Sequence, residues 1–212
     1  MYEMIAFDLD GTLLDTLGDL TNAVNVTLQA HGYPIREKAE IRSFIGNGVV
    51  KLIERASGET GEKRDTLVKY FQTYYREHCK EETKPYDGIL SLLKILKERG
   101  LVATVVSNKP DLAVKLLAKE YFSEYIQTAI GENEPTVRKK PAPDSLLAVM
   151  DSVGVTAERT LYVGDSEVDI QTANNAGVKC VSVCWGFKDE SFLKENGATD
   201  LIFEPLQLLE LL

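Results

Sequence analysis

Asp8-Leu9-Asp10-Gly11-Thr12 stands directly behind the apolar run Met4-Ile5-Ala6-Phe7. The run reads as a strand, where residues two apart face one side with Cα atoms roughly 6.5–7 Å from each other. Asp8 and Asp10 therefore offer two carboxylates to one place, and Gly11 with the hydroxyl of Thr12 turns the chain away. These parts suit attack on a phosphate ester. One carboxylate reaches phosphorus while the other, one step further out, serves the leaving oxygen. The plain alternative is a hairpin turn at Asp10-Gly11. A hairpin needs a second alternating strand, whereas Thr12 to Leu17 leads into a helical pattern.

Three more segments carry groups suited to phosphate or a hard cation. Ser107-Asn108-Lys109 follows the apolar run Leu101 to Val106, and Arg138-Lys139-Lys140-Pro141 precedes a helical pattern at 144–153. Asp165-Ser166-Glu167-Val168-Asp169 follows the run Thr160 to Gly164. Each also has a local reading. The first serves as a helix entry with Pro110 in the opening turn. The second is an ordinary solvated basic loop. The third fits a capping box, Ser166 as cap and Asp169 three residues on.

The elements that must position these segments alternate strand and helix. Strands are expected at 4–7, 101–106, 126–130, 160–164, 178–184 and 201–203, with helices at 89–99, 111–120, 144–153 and 167–176 and a terminal helix near 206–212. Such alternation implies an α/β fold, a doubly wound parallel sheet covered on both faces. Sites in open sheets of this kind form beyond the carboxyl ends of the strands. All the loaded loops fall at that edge.

More than 90 residues separate the first strand from the second, far beyond the dozen that a parallel crossover needs. Leu17, Leu20, Val24 and Leu28 repeat at helical spacing, as do Val49, Leu52, Ile53 and Ala56, and then Leu67, Phe71, Tyr74 and Tyr75. Residues 15–82 thus read as an inserted, small all-α domain, leaving 1–14 and 83–212 for the sheet. Arg42, Lys51 and Arg55 are its candidates for meeting an anionic substrate, although such charges are commonly solvated surface. The loop Gly46-Asn47-Gly48 offers backbone N–H groups to an anion.

A chain of 212 residues with 44% hydrophobic and 27% charged residues is an ordinary globular protein. Its net charge of −9 argues against nucleic acid or an anionic membrane as partner. There is no run of 18 apolar residues and no signal-peptide layout, so the cytoplasm is the expected location. Three cysteines and two histidines supply neither a disulfide framework nor a zinc site. A metal here would be a hard cation on carboxylates.

Taken together, the four segments resemble the signatures of the haloacid dehalogenase superfamily of phosphatases. Asp8-Leu9-Asp10-Gly11-Thr12-Leu13-Leu14-Asp15-Thr16 is similar to its first signature, Ser107-Asn108-Lys109 to its second, Lys140-Pro141-Ala142-Pro143-Asp144 to its third and Gly164 to Asp169 to its fourth. The helical insertion resembles that family's small cap. Ile45-Gly46-Asn47-Gly48-Val49 with Glu54-Arg55-Ala56 looks most like phosphoglycolate phosphatases.

The resemblance implies a Rossmann-like core and a small phosphorylated metabolite as substrate. Asp8 would be the nucleophile and Asp10 the acid and base. Ser107 and Lys140 would stabilise the transferring phosphoryl group. Mg²⁺ would be held by Asp8, the backbone carbonyl of Asp10 and Asp165, with Asp169 an outer or second ligand. Thr12, Asn108, Arg42, Gly46, Asn47 and Gly48 are the expected substrate contacts, on a monomer or homodimer.

A phosphosugar mutase, a pyrophosphatase or a nucleotide phosphatase of the superfamily would carry the same signatures. A dehalogenase has no leaving alkoxide to protonate, and a phosphonate hydrolase of this superfamily lacks the second aspartate, so Asp10 argues against both. A silent scaffold would tolerate damage at Asp8, Asp10, Lys140 or Asp165, and all four are intact.

Overall fold

The computed structural model describes residues 1–133 and 137–212. By backbone contacts the chain divides into two units, one of Met1–Leu14 with Pro85–Leu212 and one of Asp15–Lys84.

The larger unit is built on six parallel strands. In chain order these are β1 (Met4–Phe7), β4 (Val102–Pro110), β5 (Ile126–Glu132), β6 (Thr160–Gly164), β7 (Lys179–Val183) and β8 (Leu201–Ile202). The numbers β2 and β3 belong to Leu14–Asp15 and Lys84–Pro85, a two-stranded ribbon where the chain passes between the units. The sheet order is β5-β4-β1-β6-β7-β8. β1 is entirely buried, which explains why its sequence is an unbroken apolar run rather than an alternating one. Burying each of its larger side chains contributes ~1.5–3 kcal/mol.

The order reverses at β1. From there the chain builds outward to β4 and β5, then returns to lay β6 on the other side. Phe7 is level with Val105 of β4 and Val163 of β6. The next residues of all three strands therefore emerge side by side at a topological switch point, where this class of sheet opens a crevice.

Helices of this unit are α5 (Ile89–Glu98), α6 (Asp111–Phe122), α7 (Asp144–Val153), α8 (Glu167–Ala176) and α9 (Glu190–Glu195). α7 and α8 contribute Leu146, Val149, Met150 and Ala173 to a core shared with Met4, Ala6, Val106 and Tyr162. The expected terminal helix is instead a 3₁₀ segment, Pro205–Glu210. Pro205 sits in its first turn and Glu204 with Gln207 cap it. α9 has no counterpart in the periodicity of the sequence; one buried residue, Leu193, is all it contributes to the core.

The smaller unit contains α1 (Leu17–Ala30), α2 (Lys38–Phe44), α3 (Gly48–Ser57) and α4 (Gly61–His78). α1 and α3 pack on α4 through the apolar stripes read from the sequence. α2 lacks such a stripe, having only Ile41 buried; its start is set by a capping box between Glu37 and Glu40. Asp19, in the first turn of α1 and 2% exposed, accepts the backbone N–H groups of Glu82 (2.8 Å) and Thr83 (3.0 Å) and the Thr83 hydroxyl (2.7 Å). That carboxylate ties the unit's end to its beginning. No helix among the described residues is long and apolar enough to cross a membrane.

Candidate active site

Asp8 leaves the end of β1 with its N–H donated to the carbonyl of Val163, 2.9 Å away. The chain then turns tightly, and the carbonyl of Leu9 accepts from the amides of Leu13 and Leu14. Gly11 takes a positive φ of 88° there. A Cβ at this position would run into the Asp165 carboxylate and the Phe187 ring, so only glycine lets the turn approach them.

Across from Asp8, the Lys140 ammonium lies 2.8 Å from Asp8 Oδ1, 2.6 Å from Asp169 Oδ1 and 3.0 Å from the Tyr162 hydroxyl. Its backbone is pinned at two points by one amide. Asn108 Oδ1 accepts the Lys140 N–H (2.6 Å), and Asn108 Nδ2 donates to the Lys140 carbonyl (3.0 Å). Asn108, expected to meet substrate, has its side chain on this loop.

Ser107 and Lys109 still belong to β4, which runs on to Pro110, so this segment is strand rather than helix entry. Lys109 reaches both carboxylate oxygens of Asp10, at 2.8 and 3.0 Å, from a buried position. Thr12 is fully buried with no partner for its hydroxyl among the described residues, while its carbonyl accepts from Trp185 Nε1.

The last signature divides at the start of α8. Asp165 lies before the helix and accepts the Phe187 N–H through Oδ2 at 2.6 Å. Asp169 closes a capping box: Oδ2 accepts from the Ser166 amide (3.1 Å) and hydroxyl (2.6 Å). Its Oδ1 takes Lys140 and the Tyr162 hydroxyl (3.0 Å). Both its oxygens are thus committed, whereas Lys140 meets Asp8 through Oδ1 and Phe187 meets Asp165 through Oδ2.

Sequence reasoning missed Tyr162, Lys109's hold on Asp10, and the loop carrying Trp185 and Phe187. Tyr162 left a signal, a phenol inside an apolar strand, since a buried tyrosine hydroxyl usually takes a partner. The loop left another, a glycine between two aromatics at the end of a predicted strand.

The expected substrate contacts Arg42, Gly46, Asn47 and Gly48 all lie in the smaller unit. Arg42 is exposed in the last turn of α2. Gly46 and Gly48 have positive φ values of 127° and 80°, and Asn47 between them accepts the Arg55 guanidinium through Oδ1.

Oxygens of Asp8, Asp165 and Asp169 lie within 4.8 Å of one another, all three buried. Burial, followed by the neighbouring carboxylate charges, lifts Asp165 well above its ordinary range. For Asp8, burial outweighs the attraction of Lys140 and raises the carboxyl to about 7. Lys140 goes up as well, because Asp169 and Asp8 overcome the burial that would lower it. Three buried carboxylates face one ammonium. The surplus negative charge and all-oxygen donors fit a hard divalent cation.

A family model of haloacid dehalogenase-like hydrolases matches residues 5–183. The chain belongs to the haloacid dehalogenase-like hydrolases. Among these hydrolases it is 36% identical to a phosphoglycolate phosphatase of Pseudomonas savastanoi, over 98% of this chain and 78% of the relative. It is 31% identical to the N-acetylmuramic acid 6-phosphate phosphatase of Pseudomonas aeruginosa, over 98% of this chain and 93% of that one. A crystal structure from Lactobacillus delbrueckii subsp. bulgaricus, attributed to phosphoglycolate phosphatase, aligns at a TM-score of 0.94 with 35% identity, covering 99% of this chain and 98% of that one. This haloacid dehalogenase-like hydrolase is a phosphoric monoester hydrolase, a phosphatase of its family.

The raised carboxyls give the cation-free hydrolase an unusual pH response. A carboxyl whose folded pKa exceeds its unfolded value binds protons better when folded, so stability falls as pH climbs from the unfolded toward the folded value. For Asp8 that window runs from 3.8 to about 7, and Asp165 acts in the same direction. The cation-free protein should therefore melt at a higher temperature at about pH 5.5 than at about pH 8. Thermal melts in chelator at both values test this; a higher melting temperature at pH 8 would contradict it.

Proposed function

We propose that this chain hydrolyses a small phosphate monoester in two steps through an aspartyl-phosphate on Asp8, with Mg²⁺ as the cation, and that phosphoglycolate is its substrate. What carries the reading is one arrangement: Asp8 at the switch point, in contact with a buried ammonium and clustered with Asp165. Asp8 and Asp165, with the backbone carbonyl of Asp10, would hold Mg²⁺; Asp169, committed to Lys140 and Ser166, would act from outside them. The cation supplies positive charge that lets an anionic phosphate approach a carboxylate.

Asp8 contributes an oxygen that bonds to phosphorus as the ester P–O bond breaks. Asp10 gives a proton to the leaving alkoxide, then takes one from the water that cleaves the acyl phosphate and restores Asp8. Lys109 keeps both oxygens of Asp10 in place meanwhile. Lys140 and Ser107 meet the charge on the transferring phosphoryl oxygens, the main protein contribution in this chemistry. Arg42 and the Gly46-Asn47-Gly48 turn are assigned to substrate recognition.

The substrate is inferred from relatives, several of which are phosphoglycolate phosphatases. A sugar 6-phosphate is the second reading, favoured by the muramic acid phosphatase, of whose length this chain covers 93% against 78% of the Pseudomonas savastanoi phosphoglycolate phosphatase. Phosphate release from 2-phosphoglycolate, N-acetylmuramic acid 6-phosphate, pyrophosphate and β-glucose 1-phosphate, with and without Mg²⁺, separates these. A kcat/KM for phosphoglycolate well above the rest is expected. A preference for the sugar phosphate would replace the substrate, and activity undiminished in chelator would remove Mg²⁺. Ca²⁺ in place of Mg²⁺ should inhibit, since the larger ion takes more ligands in a looser geometry; full activity with Ca²⁺ alone contradicts the metal role.

A further inference from the structure

The loop after β7 takes no part in the chemistry described, yet it touches the site at three points. Trp185, the chain's single tryptophan, donates its Nε1–H to the Thr12 carbonyl at 3.0 Å. Phe187 donates its backbone N–H to Asp165 Oδ2 at 2.6 Å. Gly186 between them is buried so closely that a Cβ would lie 2.5 Å from both Asp165 Oδ2 and the Gly11 carbonyl. A Cβ on Gly11, conversely, would meet the Phe187 ring at 2.8 Å. Two glycines, both pressed against Asp165, thus allow the loop and the turn after β1 to close on that carboxylate.

We propose that Trp185-Gly186-Phe187 is a positioning element for the cation: it fixes the Asp165 carboxylate and thereby sets how tightly the site holds Mg²⁺. The inference rests on the reading of Asp8 and Asp165 as cation ligands. A carboxylate gripped through one oxygen by a backbone N–H cannot swing, and it presents its other oxygen in a constant direction. Partners that orient a ligand in this way commonly change metal affinity by about 10–100-fold when lost. The N–H itself belongs to the backbone, so its placement depends on the two residues before it. Trp185 fastens the loop to Thr12, and Gly186 supplies the close approach.

The test is Mg²⁺ binding to the otherwise ligand-free protein, measured by titration calorimetry, alongside turnover as a function of Mg²⁺ concentration. Gly186→Ala should raise the Mg²⁺ dissociation constant by about 10–100-fold, with most of kcat recovered at saturating Mg²⁺. Trp185→Phe keeps an aromatic side chain, though a smaller one, and removes the donor, and should raise it by about threefold to tenfold. Trp185→Phe also decides the matter if the alanine variant does not fold. Unchanged dissociation constants in the folded variants would overturn the proposal. So would an activity loss that excess Mg²⁺ does not repair, which marks general damage. Asp165→Asn is the control for the underlying reading: if it binds Mg²⁺ as wild type does, the cation site itself is misassigned and the loop's role falls with it. Weakened binding in Asp165→Asn with no change in the loop variants rejects the loop alone.

Discussion

Asp8→Asn should lower turnover by roughly three orders of magnitude or more while leaving the fold at least as stable as wild type. The amide has the shape of the carboxylate but no charge and little nucleophilicity, so the proposed first bond to phosphorus would not be made. Removing a nucleophile alone costs nearly as much as removing the machinery around it, because the remaining groups then have nothing to assist. The stability half follows from electrostatics. Burial makes the ionised Asp8 unwelcome, lifting its carboxyl to about 7. The substituted amide would not carry that charge, and Lys140 would keep Asp169 as its partner. Above pH 7, and without cation, the variant is therefore expected to melt no lower than wild type. Phosphate-release assays and melts at about pH 8 read both halves. Activity above a tenth of wild type would remove Asp8 as nucleophile.

Lys140→Met should act on stability and catalysis together. The ammonium is 4% exposed at its side chain and bridges Asp8 and Asp169. Taking one member from a buried ionic group leaves the others uncompensated, typically a loss of about 3–5 kcal/mol. The loss should shrink as pH falls toward about 5.5, since Asp8 and Asp165, both with raised carboxyls, can then take up protons instead of facing one another charged. Turnover should drop by at least about 10²-fold even in folded protein, because in the proposed mechanism the transferring phosphoryl group loses the ammonium that would meet its charge. Denaturant unfolding at two pH values, with kcat on the folded fraction, checks each part. A variant as stable as wild type at pH 8 would mean that the carboxylates are neutralised by something other than Lys140.

Much of this is legible in the chain because it rests on local patterns. The apolar run before Asp8, the glycine after Asp10 and the strand–helix rhythm are properties of neighbouring residues, and period and turn chemistry suffice to read them. The family identity follows from four short segments whose order and spacing agree with one architecture. What stays hidden depends on contacts between distant parts of the sequence. Nothing near Lys109 shows that it would reach back to Asp10, and nothing near Asn108 shows that its amide would hold the Lys140 backbone. Asp169 is readable as a cap and as an ion ligand; only its surroundings show the capping role together with the hold on Lys140. α2 escapes because a single buried isoleucine makes no period.

The placement of β1 at the middle of the sheet governs how the protein can be made. Its four residues are synthesised long before their partners, which lie on strands beginning at Val102 and Thr160. Contacts so distant in sequence raise the contact order and slow the search for the native arrangement. At about 5–20 residues per second, β6 follows β1 by roughly 8–30 s during translation. Until β4 is made that wholly apolar strand has no partner at all, and until β6 is made one of its two edges stays open, with Asp8 at its end and no Asp165 to meet it. A prematurely terminated chain lacking β6 would expose that strand. Its fate would be capture by a chaperone or aggregation, not partial activity.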